Sequence, residues 1–248
     1  MIKTFIIHVS KGYEERRKHI DTHLPSRGIN EYEYMLRGDI DDLSTDVINV
    51  FFGNALTLPE KSCFYKHYLV MKKVVEECIP QVLVLEDDAF LRKDFCEQVE
   101  LIQHEIAFNN EKNYLINIEE ASSLVPFSIR NRNQKLYLSD INKLTGGLIY
   151  DYEFAKNVIE HMSSTTQNLP IDTTLGQLRS ELRYNLFWVH PPLVCQGSKN
   201  GQFDSELSGR TSGLKTRIRG FFKDYYKMHI LSNLRLSHLK HFKNIIKY

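Results

Sequence analysis

An α/β fold on a largely parallel sheet is the class this sequence predicts, and three observations carry it. Short β-branched and aromatic runs alternate with segments of helical periodicity through most of the chain. Proline or glycine punctuates the boundaries between them. The composition, 42% apolar and 25% charged over 248 residues, is that of a globular chain with ample material for a core. No internal repeat or low-complexity segment breaks the alternation.

Residues 4–9 (TFIIHV) read as a buried strand, ended by Ser10, Lys11 and Gly12. A short helix follows over 14–24, stopped by Pro25, and then a second strand over 31–36. From Gly38 to Pro59 the pattern is that of a loop. Pro59 and Glu60 open a helix in which Phe64, Tyr68, Met71, Val75 and Cys78 keep a 4-3-4-3 spacing, one apolar face, until Pro80 ends it. Glu60 suits the first turn, where the helix dipole favours an acid. Residues 81–85 form the next strand, 95–108 a helix and 114–118 another strand. Short strands over 136–138 and 146–150 are expected around a tight glycine turn. Helices over 153–162 and 172–182 lead to a last strand, 186–190, closed by Pro191 and Pro192.

The net charge of +1 conceals an asymmetry. Residues 215–248 hold nine Lys or Arg against one acid, Asp224, whereas residues 1–214 hold 23 bases and 30 acids. With Phe221, Phe222, Leu231, Leu234 and Phe242 among the bases, the tail 214–248 reads as a basic amphipathic helical extension of a domain over 1–213. Such helices dock on anionic membrane surfaces, each nearby base adding about 1 kcal/mol. Nucleic acid is the competing partner and is set aside, because the body is acidic and carries no nucleic-acid motif. The opening residues show no signal peptide, and no apolar run approaches the ~18 residues needed to span a bilayer. Cys63, Cys78, Cys96 and Cys195 have no CxxC spacing and are expected as reduced thiols. The expected location is cytoplasmic, peripheral on the inner face of the membrane.

The apolar run 82–85 leads straight into Glu86, Asp87 and Asp88. Adjacent carboxylates repel one another and are costly to desolvate, so the grouping needs compensation. One possibility is an acidic loop that caps the next helix. Another is a hard cation, Mn²⁺ or Mg²⁺, with positions left for phosphate oxygens. In an α/β sheet such a site belongs beyond the carboxyl end of a strand, where these residues stand. The same carboxylates also suit a metal-dependent phosphoesterase or nucleotide hydrolase.

Five blocks in order resemble glycosyltransferase family 25, over roughly residues 3–200. They are FIIHVS (5–10) with Glu15-Arg16-Arg17, LTLPE (56–60) with Cys63 and His67, VLEDDA (84–89), TGGLIY (145–150) with Ala155, and Pro170-Ile171-Asp172. Departures from the family pattern are Lys61, Ser62 and Lys66, where Ile, Gly and Ser are frequent, and His8, more often Asn.

The resemblance implies a GT-A-like nucleotide-diphospho-sugar transferase fold, with the acidic triplet holding a divalent metal on the donor diphosphate. By that resemblance Asp88 is the first metal ligand. Asp87 and Glu86 contact the ribose, the sugar hydroxyls or metal-bound water. His8, Val9 and Ser10 face the nucleotide base, which Arg16 or Arg17 approaches, although Arg17 also has Asp21 as an i+4 partner. His67 is either a donor contact or a structural histidine. An inverting transfer needs a general base, with Asp172 as the leading candidate and Glu119 or Glu120 as alternatives. As a helix-starting residue, Asp172 also suits an N-cap. A second metal ligand is expected from the late segment, His190 or Gln196. Gly146 and Gly147 mark a close backbone approach to sugar or to another strand. The implied reaction moves a hexose, galactose first, from a UDP-sugar to an oligosaccharide or lipid-linked saccharide acceptor of lipopolysaccharide or lipooligosaccharide. A non-catalytic sugar-nucleotide or membrane-binding module is the third class.

Overall fold

The computed structural model describes residues 2–121, 124–203 and 236–243, with the isolated positions Tyr226 and Ile230. The chain opens with strand β1 (Lys3–Ile7), helix α1 (Glu14–His23) and strand β2 (Glu33–Met35). Two short helical turns, Ile40–Asp42 and Val47–Phe51, occupy the stretch expected as loop. Helix α2 (Leu58–Glu76), strands β3 (Gln81–Glu86) and β4 (Ala89–Leu91), helix α3 (Phe95–Asn109) and strand β5 (Tyr114–Asn117) follow. Next are β6 (Leu136–Ser139), β7 (Gly147–Asp151), α4 (Tyr152–Ser163), α5 (Ile171–Leu182) and β8 (Asn185–Val189). The last described elements are β9 (Val194–Gln196), the single turn α6 (Gly197–Asn200) and β10 (Phe242–Lys243).

Eight strands form one sheet in the order β10-β6-β8-β5-β7-β3-β1-β2, and β4 pairs with β9 in a separate ribbon. β1 is parallel to β2 and β3, and β5 is parallel to β8. β7 runs antiparallel to β3 and β5, and β6 antiparallel to β8 and β10. Six strands of the sheet thus share one direction and two oppose it, so the α/β class and the mostly parallel sheet expected from the sequence are both present. The glycine-turn pairing expected for β6 and β7 is not. Each lies between other strands, because β7 fills the gap between β3 and β5 while β6 goes to the far side of β8.

Side-chain alternation along the strands builds two cores. Phe5, Ile7, Val82, Val84, Leu148 and Leu186 point to the face covered by α2, α4 and α5. Ile6, Leu83, Leu85, Ile116, Ile149 and Phe187 point to the face covered by α1 and α3. Helix α2 starts with a capping box: Glu60 Oε2 accepts from the Thr57 amide at 2.8 Å, and the Glu60 amide donates back to Thr57 Oγ1 at 3.5 Å. Its buried apolar residues are Phe64, Val70, Met71 and Val74. The stripe drawn from the sequence is therefore offset: Tyr68 and Val75 are only half-buried, and Cys78 lies exposed beyond the helix end at φ 52°.

Most of the tail expected as an amphipathic helix lies outside the described residues. Its described stretch behaves differently from that expectation: Leu236–His241 is a helical turn, and β10 then joins the sheet beside β6. The Phe242 ring packs edge-on against Trp188, with centroids 5.0 Å apart. Among the described residues no helix is long and apolar enough to cross a membrane.

Candidate active site

β1 and β3 are parallel neighbours in a register that sets Ile7 opposite Glu86. The residues that follow each strand therefore emerge side by side. The β4–β9 ribbon, which pairs Ala89 with Gln196, folds residues 194–199 back over the same place. Between these segments and the N-terminal ends of α2 and α5 is a cavity of about 610 Å³. His8, Val9, Ser10, Arg16, the whole acidic triplet, Asp172 and Gln196 all line it.

The three carboxylates differ in what holds them. Asp87 is fixed at both oxygens: His8 Nδ1 lies 2.7 Å from Oδ2 and Arg16 donates to Oδ1 at 2.8 Å. Both pairs are largely shielded from solvent, with side-chain exposures of 2% for His8 and 16% for Arg16. Glu86 accepts from the Thr145 hydroxyl at 3.0 Å and from Gln196 Nε2 at 2.7 Å. Burial alone pushes the Glu86 carboxyl up, but the neighbouring His67 and the Thr145 hydroxyl outweigh it and leave its pKa below the usual value. Asp88 Oδ2 accepts from the Ser198 amide at 3.0 Å, whereas its Oδ1 is buried with no hydrogen-bond partner. Burial, reinforced by the Glu86 charge, raises the Asp88 pKa. A buried carboxylate oxygen left unpaired in a cavity wall is where a hard divalent cation fits.

The remaining residues singled out in the sequence divide. Asp172 stands at the start of α5, with Pro170 before it as the capping position. Its Oδ1 accepts from the Thr173 amide at 2.7 Å, so it is not the N-cap. Gln196 reaches the site as a donor to Glu86. Arg17 points elsewhere, pairing with Asp21 at 3.9 Å and lying over the Tyr34 ring at 5.0 Å. His67 is fully buried, with Nε2 3.6 Å from Glu86 Oε1. Gly146 and Gly147 do not line the cavity. A Cβ on Gly146 would stand 2.6 Å from Gln196 Nε2, and one on Gly147 3.0 Å from Ile118, so they permit close chain packing and do not face a sugar.

Glu119, Glu120 and His190 also lie outside the cavity lining, as do Arg17 and His67. Glu119 is fully buried, where it pairs with Lys199 and accepts from the Gly146 amide at 2.7 Å. Burial pushes its pKa up to about 7 against the opposing pull of Lys199. The Glu120 amide donates to the Val194 carbonyl at 2.7 Å, which fixes that segment to the ribbon. His190 has its pKa lowered to about 4 by burial and by Arg130 and Lys143 nearby, and its amide donates to the Lys135 carbonyl at 3.1 Å. The expected second metal ligand is therefore not brought to the triplet through His190.

Other site residues were not anticipated. Lys199 enters the cavity wall from α6 and Ser198 caps Asp88. Both arrive through the long-range β4–β9 pairing, which leaves no local periodicity. Lys143 is buried beneath them, its ammonium 4.1 Å from the Trp188 ring centroid and donating to the Glu119 carbonyl at 2.9 Å. Burial lowers its pKa to about 7. The three departures on α2 share one task. Lys61 donates to the Ile48 carbonyl at 3.1 Å, Ser62 to Gly38 at 2.8 Å and Lys66 to Leu36 at 3.0 Å. Lys66 also pairs with Asp39 at 2.8 Å, and the Ser10 amide donates to Asp39 Oδ2 at 3.0 Å. Together they tie the cavity-lining loop after β2 to α2 and β1.

Comparison with known proteins gives this geometry a family. The chain is 25% identical over 208 residues to lipooligosaccharide biosynthesis protein lic2B of Haemophilus influenzae, covering 77% of this chain and 74% of that protein. It is 27% identical over 184 residues to lipooligosaccharide biosynthesis protein lex-1 of Haemophilus influenzae strain Rd, covering 67% of this chain and 58% of that protein. Among solved structures, a glycosyltransferase involved in glycosylation of the major capsid of PBCV-1 matches with a TM-score of 0.44 at 11% identity, over 92% of this chain and 99% of that one. The 4-diphosphocytidyl-2C-methyl-D-erythritol synthase of Anaerococcus prevotii matches with 0.43 at 14% identity, over the same shares, 92% and 99%. Likenesses this remote say nothing about substrate. The profile described as Glycosyltransferase family 25 (LPS biosynthesis protein) matches residues 1–174, and on that match the chain belongs to glycosyltransferase family 25.

Proposed function

We propose that this glycosyltransferase, on a GT-A-like scaffold, moves a hexose, galactose in the first instance, from a UDP-sugar to a saccharide acceptor of lipopolysaccharide or lipooligosaccharide. The carrying observation is Asp88 Oδ1, buried, unpaired and in the cavity wall. Asp88 is the residue to hold Mn²⁺ or Mg²⁺, and a bound divalent ion supplies charge neutralisation to a departing diphosphate. Asp87 is oriented by His8 and Arg16, and Arg16 and Lys199 bring positive charge to the cavity. Glu86 is held by Thr145 and Gln196. His8, Val9 and Ser10 form the wall expected to face the base. Asp172, across the cavity at the start of α5, takes the proton of the acceptor hydroxyl. The acceptor oxygen then bonds to the anomeric carbon from the side opposite the diphosphate, and UDP leaves with the electrons of the broken bond. Inversion is the outcome.

The six bases and single acid between residues 215 and 235 supply the charge for docking on an anionic membrane that carries the acceptor. The deciding assay incubates the protein with UDP-galactose and a truncated lipooligosaccharide, following UDP release with Mn²⁺ and then with excess chelator. Acceptor-dependent, metal-dependent release supports the reading. UDP release that needs no acceptor, or activity only with other donors, overturns the transfer or the galactose assignment respectively.

A further inference from the structure

Cys63 and His67 are four residues apart on α2, so they project from one face of the helix, and that face meets the end of β3. There the Cys63 sulfur, a His67 ring nitrogen and a Glu86 carboxylate oxygen all lie within 4.8 Å of one another. His67 is fully buried and both of its ring nitrogens lack a hydrogen-bond partner. Its Nε2 stands 3.6 Å from Glu86 Oε1. That separation is too long for a hydrogen bond and close to the spacing of two ligands that share one ion at about 2.0–2.2 Å each. A buried imidazole with a hydrogen bond on neither nitrogen, and only a carboxylate oxygen 3.6 Å from one of them, is costly unless something else completes it.

We propose that Cys63, His67 and Glu86 form a binding site for a borderline divalent cation of the zinc class, separate from the position at Asp88. The donor set decides the class: thiolate and imidazole select Zn²⁺ or Co²⁺, whereas Mg²⁺ and Mn²⁺ prefer oxygen ligands such as the Asp88 carboxylate. Three protein ligands leave a fourth position open, as in sites that take an exogenous ligand. Cys63 and Glu86 both line the cavity, which gives the ion its entry path. Binding releases the Cys63 thiol proton to solvent, so affinity rises with pH. The ion shares Glu86 with Thr145 and Gln196, so its occupancy acts on the wall of the donor cavity without using Asp88.

The inference does not rest on the choice of donor or acceptor, because its test reads metal binding directly. The full chain, stripped with chelator, is titrated with Co²⁺ and followed by absorption. A single equivalent is expected to give a thiolate-to-cobalt charge-transfer band and the intense visible bands of a four-coordinate ion, both removed by Zn²⁺. Cys63→Ser, which keeps the side-chain size, removes the charge-transfer band, and His67→Gln weakens Co²⁺ binding at least about 10-fold. Asp88→Asn leaves the spectrum intact. No charge-transfer band in the unaltered chain overturns the proposal. So does a band that survives Cys63→Ser, which places the ion on another thiol, or one lost in Asp88→Asn, which places it at the triplet. Should Cys63→Ser fail to fold, His67→Gln carries the same decision through the affinity.

Discussion

Two acidic stretches line the same cavity, Glu86-Asp87-Asp88 at the end of β3 and the Asp39–Asp42 turn after β2, and they differ in what is left unsatisfied. In the turn, Asp39 is taken by Lys66 and by Ser10, and Asp42 Oδ2 accepts from the amides of Gly38 and Asp39 at 3.2 and 3.3 Å. These acids fix a loop. In the triplet, Asp87 is saturated by His8 and Arg16, yet Asp88 keeps a buried oxygen without a partner. A cluster of carboxylates therefore says little about cations until each lone pair has been accounted for. Asp39 Oδ1 has the Lys66 ammonium beside it, whereas buried Asp88 Oδ1 has neither a hydrogen bond nor an ion pair among the described residues.

Asp88 is where the two stretches part most. Asp88→Asn is expected to lower metal-dependent transfer by about 10³-fold, the equivalent of the several kcal/mol a bound ion contributes. Its melting temperature at neutral pH should hold or rise, because Asp88 has a raised pKa and its ionised form burdens the folded state. Steady-state rates beside a thermal melt check both halves, and a variant with unchanged rate would remove Asp88 from the site. On the loop side, Lys66→Met strands the Asp39 charge and is expected to cost roughly 3–5 kcal/mol in urea unfolding. Adding Asp39→Asn should recover part of that loss. A cost under about 1 kcal/mol would mean the loop is held by something else.

Arg16→Met frees one oxygen of Asp87 and removes a positive charge that holds the Asp88 pKa down, and kcat/KM is expected to fall about 10–100-fold, the range for a lost supporting contact. His190→Asn should leave donor binding unchanged in calorimetry, since His190 lies outside the cavity. The folded-state pKa of His190 is depressed from 6.5 to about 4, so the unfolded chain takes up a proton that the folded chain refuses. Stability is therefore lost as pH falls from about 6.5 to about 4. His190→Asn should flatten part of that slope, and His23, also lowered to about 4, contributes in the same window.

The sequence carried the elements whose physics is local. Strand β1, helix α2 and strand β3 follow from β-branched runs and proline boundaries, and Asp88 stood out because three adjacent carboxylates repel one another and are costly to desolvate. What it withheld depends on distant pairing. Nothing near residue 196 announces that Gln196 will meet Ala89, so Ser198 and Lys199 went unseen at the triplet. Strand direction is equally hidden: β6 and β7 have ordinary strand composition, and only their neighbours make them antiparallel. Lys61, Ser62 and Lys66 were legible as departures, but their common purpose appears only once the loop carbonyls they bind are in place.

Strand β10 has a consequence for how this chain is cut. It pairs with β6 at the outer margin of the sheet, and Phe242 covers Trp188 there. A chain truncated after residue 213 would retain the residues of the cavity but bare the backbone of β6 and an indole face together. Exposed margins of that kind recruit other strands, so the shortened domain would be prone to self-association. Phe242 and Lys243 thus act as a hem along β6.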